Sequence, residues 1–489
     1  MPNVRLQSQL TLFDVTNLVV GAIIGADIYV ASTFGAQYLG PFSLIVWVIA
    51  GLMAIVIALC FAQCASLLPK VGGPYAYARE AWGPFAGFVV GWSLWLAEWV
   101  SLAVFPVAFV RYLTVALPNL DPISIIVVKT LFVLFLIASN IFGVRAAGRT
   151  NDVLTIVKLA PLVLFSAVGL LFVIVNPGVA ASNFSPFMPN GLGNFGLALV
   201  LIFWAYAGFE ISTIPAEEIK DAKKTIPRAI VVGIAIVTVF YLVTNAVLFG
   251  VRSSSLLALD NAPLVAATNA SLSWNHPLAL VGVAIVGVGA LISVAGSDES
   301  GMIGTSRLGY ALAADGLFPR VFAKIHPKYK TPYLGIIIQA VTALIAAIYG
   351  SLEVLVATSV FLLGVAYVAT GLSVFWLRKK FPASQSRWEA SSIIPVLGVI
   401  FSVLLILQCG IFQIVTGILM LVIGIPIYIK YSPKKELADL KNALISREAI
   451  LEKAYRQEDR FLAHLLRHVK RAYRRITGKE QTWQTSDKD

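Results

Sequence analysis

The stretch Gly21-Ala22-Ile23-Ile24-Gly25-Ala26-Asp27-Ile28-Tyr29 interrupts an apolar helix near the start of this chain, and Trp204-Ala205-Tyr206-Ala207-Gly208-Phe209-Glu210 interrupts another near its middle. Each interruption carries a carboxylate. No water reaches backbone N–H and C=O groups in hydrocarbon, so unwound backbone is tolerated only where it packs on protein or lines a cavity. Glycine-interrupted apolar segments at corresponding places in two halves of a helical membrane protein point to a midplane binding site. Function is therefore expected around these two breaks.

Composition leads the same way. With 58% hydrophobic and only 13% charged residues over 489 positions, the chain cannot be a soluble domain. Apolar runs long enough to cross ~30 Å of hydrocarbon recur about twelve times. They are read at 12–36, 42–67, 85–117, 123–143, 152–175, 193–216, 227–249, 278–306, 332–350, 352–376, 393–411 and 413–430. Residues 1–10 are polar and run directly into the first span without a small-residue cleavage pattern, so the first helix is expected to serve as both signal and anchor. Cys60, Cys64 and Cys409 all fall inside spans, with no metal-ligand or disulfide spacing, and read as packing residues.

The 37 Lys and Arg fall mainly into alternate connections. One set holds Lys70 and Arg79; Arg145 and Arg149; Lys220, Lys223, Lys224 and Arg228; Arg320, Lys324, Lys328 and Lys330; and Arg378, Lys379, Lys380 and Arg387. The opposite set holds little more than Arg111, Lys129 and Arg252. The positive-inside bias then places both termini in the cytoplasm of a multi-pass cell-membrane protein. It also accounts for most of the net charge of +12 without a nucleic-acid partner. Residues 431–489 form a basic tail with apolar positions such as Phe461, Leu465 and Val469 beside Arg467, Lys470 and Arg474. It reads either as an amphipathic segment lying on anionic lipid or as a solvated helical tail.

Beyond the breaks themselves, several passages resemble the amino acid, polyamine and organocation permeases. The first break is similar to that family's Gly-x-x-Ile-Gly stretch. Residues 203–230, FWAYAGFEISTIPAEEIKDAKKTIPRAI, resemble its sixth helix and following loop, and 306–320, SRLGYALAADGLFPR, through Thr331-Pro332 resemble the segment after its eighth helix. The resemblance covers the chain to about residue 430. It implies an all-α polytopic membrane protein of about twelve transmembrane helices, with the first and sixth discontinuous. Two inverted, LeuT-like five-helix repeats, about 12–175 and 193–376, would be followed by two extra helices at about 393–430. It implies a secondary permease, with substrate held between helices one, three, six, eight and ten.

Asp27 departs from the family pattern, standing where a glycine or small residue is common. Backbone amides near that break typically cradle a substrate α-carboxylate in the family. An ionised side chain there would repel that group and favour an ammonium or guanidinium. The competing reading is a local cap on the unwound amides, or pairing with Lys158.

Glu98, Glu210, Asp298 and Glu299 are also embedded in apolar sequence. Each buried acid costs at least ~2.5 kcal/mol at a helix centre, so each should face a cavity or a partner. Glu98 is read as lining the pocket or as an internal hydrogen-bond partner. Glu210 has a structural or proton-linked role, or contacts substrate directly. Asp298 and Glu299 point about 100° apart on a helix, so at most one faces substrate. Lys158 reads as the only Lys or Arg well inside a span; the resemblance places it where related carriers hold sodium. It is expected either to carry a proton or to fix helix-break carbonyls. Trp204 resembles a tryptophan that closes over substrate in arginine and agmatine exchangers, against a plain packing role.

The candidate substrate-binding set is thus Gly21, Ile24, Gly25, Ala26, Asp27, Glu98, Trp204, Ala207, Gly208, Glu210, Asp298 and Glu299, with Lys158 and Glu210 for coupling. The expected partners are a small cationic amine, leaning to putrescine or agmatine, or an amino acid, together with protons and the bilayer. Alternatives are a general amino-acid permease that binds the substrate carboxylate on the first break, and a non-transporting amine sensor. An enzyme is not expected, because the four His lie in loops or the tail and no nucleophile, base and orienting group assemble. No cofactor or metal is expected either.

Overall fold

A computed structural model describes residues 11–25, 27–68, 72–142, 149–210, 219–382 and 391–433, without the side chains of 149–157 and 222–223. Ala26 and the tail beyond Pro433 lie outside the described residues. The described residues are mostly helical, with no strand among them. The chain is an all-α polytopic membrane protein.

The first span is two helices. α1, Leu12–Ile23, opens on a capping box in which Asp14 N–H donates to Thr11 Oγ1 and Thr11 N–H donates to Asp14. It stops at Ile24, whose backbone is extended, and α2, Asp27–Leu39, starts afresh three residues later. α3 is Ser43–Leu67. The short α4, Pro74–Trp82, leads into α5, Pro84–Ala116, and α6, Pro122–Phe142, follows. Proline at the first helical position of each of these last three is favourable, since its missing N–H would have no intrahelical partner. α7 is Arg149–Val175 and α8 Pro177–Asn183.

The sixth span begins as α9, Phe195–Phe203, tightens into a 3-10 turn over Trp204–Tyr206, and unwinds at Ala207. α10, Ala222–Val251, and the short α11, Ser254–Leu257, and α12, Pro263–Ser271, precede α13, His276–Ala314. At ~1.5 Å per residue α13 is roughly 58 Å long, well beyond the bilayer core and past the span read for it. α14, Tyr333–Tyr349, α15, Leu352–Lys380, α16, Ile393–Gln408, and α17, Ile411–Tyr431, complete the described helices.

Two packing groups emerge. α10 packs on α1 and α3, while α5 packs on α13, α14 and α15, and α6 on α14. At one end of the bundle Arg79 of α4 bonds Asp315 after α13 at 2.7 Å, and Lys380 of α15 bonds Glu80 at 2.7 Å. Tyr75 also donates to Asp315, at 2.6 Å. Burial, followed by that bond, raises the Tyr75 hydroxyl above the ordinary phenol range, so it stays a donor. Elsewhere Tyr38 of α2 donates to Glu353 at the start of α15, and Arg252 pairs with Asp260 at 2.8 Å.

Three sequence readings need correction. Lys129 is not in a connection but two turns into α6, 8% exposed, with Nζ donating 2.7 Å to the carbonyl of Ala347 in the last turn of α14. A cation is stabilised at that helix C-terminus. Lys158 is therefore not the sole basic residue inside a span. Arg111 likewise lies within α5.

Candidate functional site

The two breaks touch. Gly208 has φ +115°, and a Cβ there would lie 2.7 Å from the carbonyl oxygen of Ala22 in the last turn of α1. Only glycine meets both demands. Unwinding leaves carbonyls without helical partners, and Tyr241 of α10 answers two of them, its hydroxyl lying 3.1 Å from Ile23 O and 3.1 Å from Ala205 O. Its ring packs edge-on against Trp47 and Tyr206, and Tyr206 in turn donates to Trp47 O at 2.9 Å.

Gly25 holds the first break against α13. A Cβ on it would collide with the Ser297 side chain, and the Asp27 carboxylate stands 3.3 Å from the same point. Asp27, 7% exposed, begins α2 and accepts a hydrogen bond from its own backbone N–H. Its carboxylate thus stands at the first position of a helix N-terminus, the position suited to an external anion. Lys158 and Glu210 are its charged neighbours. Lys158 is buried, with its Cε against Gly296, and Asp27 and Glu299 are the acidic groups that act on it. Ile24 is buried and donates to Val20 O, whereas Gly21 is half-buried within α1.

At the second break, Glu210 Oε2 accepts from Gly208 N–H at 3.0 Å and from the Tyr367 hydroxyl of α15 at 3.3 Å. Glu98 of α5 is among the acidic groups close to Glu210. Ala207 is extended and half-buried, its N–H donating to Trp204 O. Trp204 Nε1 donates 3.3 Å to Ser101 Oγ, and Ser101 meets Ser359 of α15 at 2.9 Å. Its ring is tilted against Phe105.

Asp27, Glu98, Glu210 and Lys158 therefore come together, with Trp204, Gly25 and Gly208 around them. Glu299 joins through Lys158. Asp298 is 1% exposed and its Oδ1 has no hydrogen-bond partner among the described residues. Helical spacing aims it toward the side of Met302 and Gly309, which Gln339 of α14 and Trp95 of α5 cover, not toward the breaks. Tyr241, Tyr367, Ser101 and Ser359 belong to the arrangement but were not singled out from the sequence. Among the described residues no group of three or more His, Cys, Asp or Glu is placed to hold a metal ion.

Paired helix breaks in mutual contact, with carboxyl groups and one lysine around the unwound backbone, define a helical membrane carrier. The match of residues 10–433 to the family described as amino acid permease makes this chain a member of that family. It is a multi-pass membrane transporter and not an enzyme. It is 29% identical over 450 residues to the branched-chain amino acid permease BcaP of Bacillus subtilis (strain 168), covering 88% of this chain and 94% of that protein. It is 28% identical to the methylthioribose transporter of the same organism, over 80% of this chain and 85% of that protein. Against the serine/threonine exchanger SteT, also of Bacillus subtilis (strain 168), identity is 26% over 88% and 98% of the two chains.

Proposed function

We propose that this permease carries a small cationic amine, of the agmatine or putrescine class, across the cytoplasmic membrane by proton-coupled transport or exchange, with both termini cytoplasmic. The carrying observation is Asp27, a buried carboxylate at the first position of α2, beside the helix N-terminus that would otherwise receive a substrate carboxylate. With that position filled, the acidic side chains of Asp27 and Glu210 outnumber Lys158, and a cationic ligand balances the group. Trp204 offers a ring face worth ~1 to 2 kcal/mol to such a cation. Alternating access follows from motion of α1, α3, α10 and the broken sixth span against the group built on α5, α13 and α14. Lys158 and Glu210 are the coupling groups in this reading, with Lys158 either exchanging a proton or fixing the first break.

The relatives favour a second reading, transport of a neutral amino acid whose carboxylate binds the first break. One relative is a branched-chain amino acid permease and another a serine/threonine exchanger, although a third carries methylthioribose. Uptake of labelled agmatine and labelled arginine into sealed proteoliposomes, with and without an inward proton gradient, separates the two, because these solutes differ essentially by one carboxylate. Entry of agmatine but not arginine is expected. Preference for arginine or leucine would overturn the amine reading.

A further inference from the structure

The second half of the first span is held from two directions. α2 starts at the break with Asp27, and its last turn carries Tyr38, roughly 16 Å further along the axis. The helix packs along α9 and the 3-10 turn that follows α9. Its tip is tied to the stretch before α9 as well, since Asn190 Nδ2 donates 2.9 Å to Gln37 O and Phe42 N–H donates 2.9 Å to Phe187 O. α2 and α9 therefore form one body.

To the group built on α5, α2 reaches across through side chains. Near the break the Tyr112 hydroxyl of α5 donates 3.2 Å to Tyr29 O, and the two rings meet edge-on at 5.4 Å. At the tip the Tyr38 hydroxyl donates to Glu353 in the first turn of α15, which packs along α5. The two bonds are unequal. Tyr29 O lies inside a helix, where carbonyls already receive helical N–H groups, so Tyr112 adds a second donor. Glu353 presents a carboxylate, the stronger kind of acceptor, and among the described residues no lysine or arginine pairs with it. The Tyr38 bond also acts at the far end of a lever whose pivot is the extended backbone at Ile24.

Glu353 begins α15, and Lys380, paired with Glu80, ends it. The Tyr38 bond is thus at the membrane face opposite that ion pair, which is the outer face when the termini are cytoplasmic.

We propose that Tyr38 and Glu353 are the latch that holds the outer face shut, and that α2 and α9 swing off α15 together once this bond breaks, opening a path to the two helix breaks. The proposal rests on the rocking motion described above and not on the class of solute.

Side-specific labelling of the full chain in liposomes tests it. Ser359 lies below Glu353 on α15, is 0% exposed and meets Ser101 beside Trp204, so a cysteine there reports on the path beneath the latch. Ser359→Cys protein is treated with a membrane-impermeant maleimide from each face in turn, with the chain lacking that cysteine as the blank. Little reaction is expected from the outer face. Adding Tyr38→Phe, which keeps the ring, or Glu353→Ala is expected to raise the outer rate about tenfold, because labelling follows the open population. Lys380→Ala, at the opposite face, is expected to leave it unchanged. An unchanged rate in both latch variants would overturn the proposal, and so would an equal rise in Lys380→Ala, which marks general loosening. A rise seen only from the face of the termini would overturn the outer assignment. Solute uptake plays no part in the readout, so failure of the amine reading leaves this test intact.

Discussion

The Ala22 carbonyl oxygen lies 2.7 Å from where a Cβ would stand on Gly208, so the backbones of the two broken helices meet with no side chain between them. Both the positive φ and the approach require glycine. Gly208→Ala is expected to cost more than ~2 kcal/mol. Detergent-solubilised protein should melt several degrees lower and lose transport; a wild-type melt with full uptake would show that the breaks tolerate separation.

Tyr241 closes the same contact from α10. Tyr241→Phe keeps the ring packing on Trp47 and Tyr206 but strips a donor from two break carbonyls, an expected loss of about 1 to 2 kcal/mol. The check is melting temperature together with uptake rate. Stability should fall, and transport with it, because the carbonyls belong to the moving segments.

Lys129 and Lys158 are both buried, yet they are expected to fail differently. Lys129 caps α14 through Ala347, so Lys129→Met should lower stability by about 1 kcal/mol and leave the substrate concentration for half-maximal uptake unchanged. Lys158→Met leaves Asp27 without its cation and should abolish gradient-driven accumulation. Uptake with and without a pH gradient distinguishes the two variants.

Trp204 is tied to α5 through Ser101, which meets Ser359 of α15. Ser101→Ala should free the indole and raise the half-maximal agmatine concentration about three- to tenfold, or ~1 kcal/mol, with Trp204→Leu raising it further. Unchanged values for Trp204→Leu in agmatine uptake would remove that side chain from the site.

Much of this was legible in the chain because membrane burial makes exceptions conspicuous. Glycine and carboxylate inside an apolar run at 21–27 and 204–210 marked both breaks, and Lys158 stood out for the same reason. Partners supplied from distant helices carried no such signal. Tyr241 and Tyr367 look like ordinary aromatics in a span until the fold brings them 36 and 157 residues back to Ala205 and Glu210. Lys129 was misplaced because a lysine near the start of a span resembles a loop residue, whereas here it reaches across to a helix end. Asp298 and Glu299 were equivalent in sequence, and only packing aims one at Lys158 and the other at α14 and α5. Short connecting helices such as α8 and α12 are too brief to stand out by periodicity.

The central claim is that Asp27 fills the anion position at the first break and selects against a substrate carboxylate. The most direct test compares agmatine and arginine uptake by wild type and Asp27→Asn in the same proteoliposomes. Removing that charge is expected to cut the agmatine-to-arginine ratio at least about tenfold, equivalent to ~1.4 kcal/mol. An unchanged ratio, with both proteins folded and active, would contradict the account.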